Sequence, residues 1–416
     1  MNKEKHDAYA VLRQSHYRKM LTIHMSQVCA TNIFTITVGW LIYQKTHSAA
    51  MLGLNGLAVF LPHLLLALPV GHWVDHRSLK LLSTIGFVFK CLAGLGIAMC
   101  VWLSFDVQWM FPWIIAGGIG NVFLSVCTPV ILRESIDNAH VENNANWSSL
   151  TRRIAIIVGS IVGGVLLASE WGALSALLLS VLLQSFNVFL TSIARMPRRQ
   201  KASGAVRSWH ELTRGIRYFA RSPVVRSAMI LDLVASFFGG CAGLLPLFAE
   251  DILHVGADGL GWLRAAPAIG ASLATFVMTH RPPVRSAGMT MFSVVGLYGL
   301  MIIIFGLSHS FFISVGALML MGAFDAISIT IRSAIIQAMV PATIRGRMYG
   351  LNVLFINTSN ELGDFESGMV SAFIGGPLTV VLGGIATVAV TGVAAWRFHE
   401  LRGVRSVLAL NAQSTK

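Results

Sequence analysis

Charge is what this sequence lacks. Only 12% of its 416 residues are Asp, Glu, Lys or Arg, against roughly 25% in an ordinary soluble domain. With 55% of the residues hydrophobic, a soluble protein of this length would have too few polar groups to cover its core. A soluble fold is excluded, and the chain reads as an integral membrane protein. Cysteine is scarce too. Cys29, Cys91, Cys100, Cys127 and Cys241 all lie in apolar stretches without CxxC or zinc-finger spacing, so neither a disulfide framework nor a metal site is expected. Walker loops, G-x-S-x-G elbows and H-E-x-x-H pairs are also missing, so the sequence predicts no enzyme and no cofactor. Without an ATP site, any uphill transport must draw on an ion gradient.

What is present is a succession of long apolar runs. A membrane helix needs about 20 mostly apolar residues. On that measure the chain predicts twelve spans, near 20–43, 51–74, 80–104, 109–132, 147–169, 172–194, 227–250, 259–280, 287–307, 311–339, 348–373 and 377–397. The first follows a charged leader and is too long for a signal-peptide core, so it reads as an uncleaved anchor. The polar, basic stretch 195–226 splits the spans six and six. The expected fold is therefore all-α and polytopic, with an N-terminal bundle (1–194), a cytoplasmic basic linker (195–226) and a C-terminal bundle (227–416).

The formal net charge of +13 is explained by topology. With the N-terminus inside, 25 of the 31 Lys and Arg residues fall on the inner side, and only Lys45 falls outside. This asymmetry obeys the positive-inside rule and predicts both termini in the cytoplasm. It also removes nucleic acid as a partner, because the basic residues do not gather into one patch. Asn146-Trp147-Ser148 fits a glycosylation sequon, but on the inner side it is fortuitous. In the linker, Trp209, Leu212, Ile216 and Phe219 recur at helical spacing among Arg214, Arg217 and Arg221. They predict an amphipathic helix on the inner surface among membrane lipid headgroups.

Twelve spans in two sixes around a basic loop resemble the major facilitator superfamily. The stretch GWLIYQKTHSAAMLGLNGLAVFLPHLLLALPVGHWVDHRSLK (Gly39–Lys80) resembles its transmembrane secretion effector branch, which includes the enterobactin exporter and multidrug proton antiporters. So do LLPLFAEDIL (Leu244–Leu253), RAAPAIGA (Arg264–Ala271), PATIRGRMYGLN (Pro341–Asn352) and SNELGDFESG (Ser359–Gly368). The resemblance implies two pseudo-symmetric six-helix bundles around a central cavity. It also implies export of a siderophore-like or drug-like solute by a monomer, and an inner gate at Asp75 and Arg77, joined by Arg345 and Arg347. Two positions depart from the pattern. His76 replaces the arginine of the superfamily's Gly-x-x-x-Asp-Arg loop, and Ser160 replaces the usual proline in the fifth span's glycine signature.

Ionisable groups inside a membrane cost about 2.5–3.5 kcal/mol each on insertion scales, which makes them functional candidates. In the eleventh span, Glu361, Asp364 and Glu366 lie within two turns beside Asn360. Their mutual repulsion favours binding of a proton. In the tenth, Asp325 and Arg332 are seven residues apart, on one face but roughly 10 Å apart along the axis. Asp325 is a second candidate proton carrier, and Arg332 a contact for an anionic solute or for an eleventh-span carboxylate. Arg153, with Asn32 and Thr35 of the first span and Asn360 of the eleventh, completes the candidate solute-binding set. Arg152 and Arg264 are expected to snorkel to the interfaces, Lys90 to form a structural ion pair, and His63 to be packed or cavity-facing. These residues predict proton-coupled transport of a small organic anion, and the resemblance implies that the direction is export. An importer of a nutrient or metal chelate on the same fold, and a non-transporting sensor or assembly factor, are the alternatives.

Overall fold

A computed structural model describes residues 10–136, 141–194, 216–280 and 286–404. Its long helices in chain order are α1 (Ser15–Thr46), α2 (Ala49–His76), α3 (Leu79–Trp102), α4 (Phe111–Glu134), α5 (Val141–Ala168), α6 (Gly172–Ile193), α7 (Pro223–Phe238), α8 (Gly256–Thr279), α9 (Ala287–Leu307), α10 (Phe311–Met339), α11 (Ala342–Ile374) and α12 (Gly376–Arg397). Among the described residues, eleven helices are long and apolar enough to cross a membrane. The expected twelfth, α11, has 33 residues but falls short on apolarity. Asn352, Asn357, Asn360, Glu361, Asp364 and Glu366 all lie on it. Every backbone group in the hydrocarbon must be satisfied internally, which is why the chain uses helices throughout.

The chain divides into two compact units. One runs up to Lys45 and resumes from Ala58 through α6; the other takes Thr46–Leu57 with α7 to α12. In the first, polar side chains fasten α1 to three neighbours. The Tyr17 hydroxyl donates to Asn144 Oδ1 on α5 at 2.9 Å. Thr128 Oγ1 on α4 donates to Gln27 Oε1 at 3.0 Å. Ser180 Oγ on α6 donates to the Ala30 carbonyl at 3.0 Å. Small residues bring backbones close, as expected where lipid gives helices no hydrophobic reason to associate. A Cβ on Gly159 would lie 2.7 Å from the Cys29 carbonyl oxygen, and one on Gly163 2.7 Å from Ile36 Cγ2. The glycine signature of α5 therefore seats it on α1 even with Ser160 in place of proline.

In the second unit, α8 meets α10 through Gly270 against the Met319 carbonyl and Gly322 against the Pro267 carbonyl. Helix α9 meets α12 through Gly299, Gly306 and Gly384. The segment Thr46–Leu57 belongs here because Gly53 and Gly368 lie backbone to backbone; a Cβ on Gly53 would stand 2.9 Å from the Phe365 carbonyl oxygen. The turn from α11 into α12 is made at Gly375, with φ of +86°, a conformation that disfavours any side chain. Of the amphipathic linker segment, residues up to 215 lie outside the described part. Its described end packs on protein: Tyr218 donates to the Met339 carbonyl at 2.6 Å, and Phe219 meets Phe355 edge-on at 5.5 Å.

Candidate functional site

Helix α7 stops inside the apolar span Pro223–Ile252. After Phe238 the chain passes through Gly239, Gly240 and Cys241, makes a short 3-10 turn at Ala242–Leu244, and resumes as helix with a π turn at Phe248–Ile252. Backbone freed at such a break needs partners from elsewhere in the protein, and the nearby helices supply them. The Gly243 N–H donates to Asp364 Oδ1 on α11 at 2.9 Å. Ser367 Oγ donates to the Gly240 carbonyl at 2.6 Å. Arg264 Nη1 on α8 donates to the Ala242 carbonyl at 2.8 Å, where snorkelling was expected. The approach of α11 is permitted by glycine on both sides: a Cβ on Gly240 would lie 2.7 Å from the Gly363 carbonyl carbon, and one on Gly363 2.6 Å from the Phe237 oxygen.

The helix 11 carboxylates thus have different surroundings. Asp364 holds the break. Glu366 Oε2 lies 3.4 Å from Ser367 Oγ, whose one proton goes to the shorter bond with the Gly240 carbonyl. Glu361 is half-buried one turn before Asp364, on the same face, and Asn360 is exposed.

Arg332 lies inside the protein. Its surface is fully buried, and it forms an ion pair with Asp232 on α7. The two turns of α10 between them, roughly 10 Å along the axis, keep it from Asp325, and Asp232 on the neighbouring helix is its partner. Sequence reasoning passed over Asp232, although an aspartate inside MILDLVASFF is the same kind of signal as those it kept. Asp325 lines a small cavity with Asp232, Ser236, Tyr298 and Ser328.

In the first unit, Gly159 brings α5 beside Asn32, whose Cβ would lie 3.1 Å from a Cβ added at Gly159. Asn32 Nδ2 donates to the Val28 carbonyl of its own helix at 2.9 Å. Arg153 and Thr35 are half-buried and Arg152 is exposed. Lys90 is buried, with its ammonium 6.0 Å from the Phe34 ring centroid, where a cation–π attraction helps offset desolvation. His63 Nε2 lies 3.3 Å from Ser125 Oγ. Of the inner-gate set, Arg345 Nε donates to the Val340 carbonyl at 3.3 Å and Arg77 is exposed. The side chains of Asp75 and Arg347 lie outside the described part.

A profile of the transmembrane secretion effector family matches residues 6–412, nearly the whole chain. The chain belongs to this family. It is 24% identical over 370 residues to the enterobactin exporter EntS of Escherichia coli O1:K1, covering 84% of each protein. The same exporter of Shigella boydii serotype 4 matches at 24% over 368 residues. Among solved structures, the nucleoside transporter NupG (D323A mutant) superposes with a TM-score of 0.72 at 15% identity, covering 93% of this chain and all of that one. The D-xylose-proton symporter does so with a TM-score of 0.70 at 13%, covering 92% and 97%. The secretion effector protein therefore has the major facilitator fold. It is a multi-pass membrane transporter and not an enzyme.

Proposed function

We infer that this transporter is a proton-coupled exporter of a small organic anion, of the siderophore-like or drug-like class. It would work by alternating access, as a monomer in the bacterial inner membrane with both termini in the cytoplasm. The observation that carries this reading is the bond from the Gly243 N–H to Asp364. A proton arriving on Asp364 weakens an acceptor that holds the backbone of the break after α7, so a change of charge becomes a change of helix geometry. Glu361 and Glu366 share the proton load with Asp364, and Asp325 serves on α10. Arg153, Asn32, Thr35 and Asn360 are the proposed solute contacts. Arg332 leaves that set because Asp232 already neutralises it. Asp75, Arg77, Arg345 and Arg347 remain the proposed inner gate.

Export draws on the enterobactin exporters that align over most of the chain. A strain lacking the gene should retain the solute inside its cells, and undiminished secretion would count against export. In proteoliposomes, at least one of Glu361→Gln, Asp364→Asn and Glu366→Gln should lower gradient-driven flux ten-fold or more. Full flux in all three would remove α11 from the coupling. Import is the second reading, since a proton symporter shares the fold. Flux measured in inside-out against right-side-out vesicles separates the two.

A further inference from the structure

The first unit holds a small cavity whose polar groups all come from hydroxyls. Ser83 and Phe87 of α3, Thr128 and Ile131 of α4, Thr191 of α6, and Met20 and Ile23 of α1 form its wall. There is room for about one water molecule. Ser83 and Thr191 are 2% and 0% exposed, and neither hydroxyl has a hydrogen-bond partner among the described residues. The Cys127 thiol beside Ser83 is too weak an acceptor to stand in for one. Thr128 gives its own proton to Gln27 Oε1, which leaves its oxygen able to accept. Polar groups buried without partners are costly in an interior surrounded by lipid.

The demand continues along α6. Thr191, Asn187 and Gln184 follow one another at spacings of four and three and so share a face. Asn187 and Gln184 are 0% and 1% exposed, and neither amide has a partner on its oxygen or its nitrogen. On both sides of this stretch α3 and α6 are tied directly. Lys80 Nζ donates to the Ser192 carbonyl at one end, and Cys91 Sγ lies 3.6 Å from Ser185 Oγ at the other. The cavity falls between these two ties.

We propose that it is a binding site for one internal water, which joins α3, α4 and α6. The water donates to Thr128 Oγ1 and Thr191 Oγ1 and accepts from Ser83 Oγ, the usual complement for a buried water. Such a joint differs from the direct side-chain bonds that fasten α1 to its neighbours. A bound water can turn and exchange partners, so the three hydroxyls stay satisfied at more than one spacing of the helices. An apolar contact in the same place would be fixed by shape alone. The site does not depend on which ion or solute the transporter moves.

X-ray radiolysis of the full chain in lipid nanodiscs converts a bound water to hydroxyl radical in place, and mass spectrometry reads the oxidation of side chains beside it. Met20 is 2% exposed and lies in the cavity wall. It should oxidise about ten-fold or more faster than Met110 and Met291, since a buried methionine needs a water beside it to react so fast. Those two are 0% exposed and belong to neither small cavity. Ser83→Ala with Thr191→Val removes two of the three partners at little change of volume and should bring Met20 down to the rate of the controls. Thr191→Ser keeps a hydroxyl and should preserve the wild-type rate. Equal rates at Met20, Met110 and Met291 in the wild type overturn the proposal. So does a Met20 rate that the double variant leaves unchanged, because the radical then comes from elsewhere. Fast oxidation of all three methionines in the double variant means that it has unfolded, and Thr191→Val compared with Thr191→Ser then decides by the same criterion.

Discussion

Asp232→Ala should destabilise the folded transporter by about 3–5 kcal/mol, the usual cost of stranding one member of a buried ion pair. Arg332 has no exposed surface, so its guanidinium cannot turn to water when the carboxylate is removed. A double replacement that retires both charges in favour of apolar side chains of similar volume, Asp232→Leu with Arg332→Met, should recover most of that loss, because neither variant group then needs a counter-ion. Thermal unfolding in mild detergent, followed by the loss of monodisperse protein, measures both. A single mutant that melts with the wild type would mean that the pair is already hydrated and contributes little.

Gly270→Val should cost on the order of 3 kcal/mol, at the upper end of what overpacking does. The new Cβ would run into the Met319 carbonyl on α10, which is backbone and cannot rotate aside as a side chain would. The neighbouring contact of Gly322 with the Pro267 carbonyl pins the same crossing a second time, so α8 and α10 cannot separate at one point and stay packed at the other. Within a bilayer such close packing is much of what associates helices at all. Gly316 and Gly392, which have open space where a Cβ would go, are the matched controls: alanine at either should leave the melting temperature close to wild type. Equal losses at Gly270 and at these controls would refute the tight crossing.

Much of the architecture was legible because bilayer physics writes itself into composition. Length and apolarity act residue by residue and need no knowledge of neighbours. The polar character of α11 was legible for the same reason, since Glu361, Asp364 and Glu366 contradict their surroundings. What escaped was pairwise. Nothing local to Arg332 says that its partner is Asp232 on another helix rather than a solute, and nothing local to Arg264 says that it answers the Ala242 carbonyl in the break after α7 rather than water. The break in α7 had a faint signal in Gly239-Gly240 within an apolar run, but its function depends on Asp364 and Ser367. The grouping of Thr46–Leu57 with the second unit is likewise invisible, because Gly53 finds Gly368 only after both helices have folded.

The Asp232–Arg332 pair also sets an order of events during synthesis. Its members are a hundred residues apart, and a ribosome adding about 5–20 residues per second takes roughly 5–20 s to make that stretch. Throughout that interval α7 holds a carboxylate that the lipid disfavours by about 2.5–3.5 kcal/mol. The helix is therefore expected to linger at the insertion machinery, or to sit shallow in the bilayer, until α10 arrives with the neutralising charge. Biogenesis of this half is thereby timed by its own sequence, and a chain truncated before Arg332 should be a ready substrate for membrane quality control.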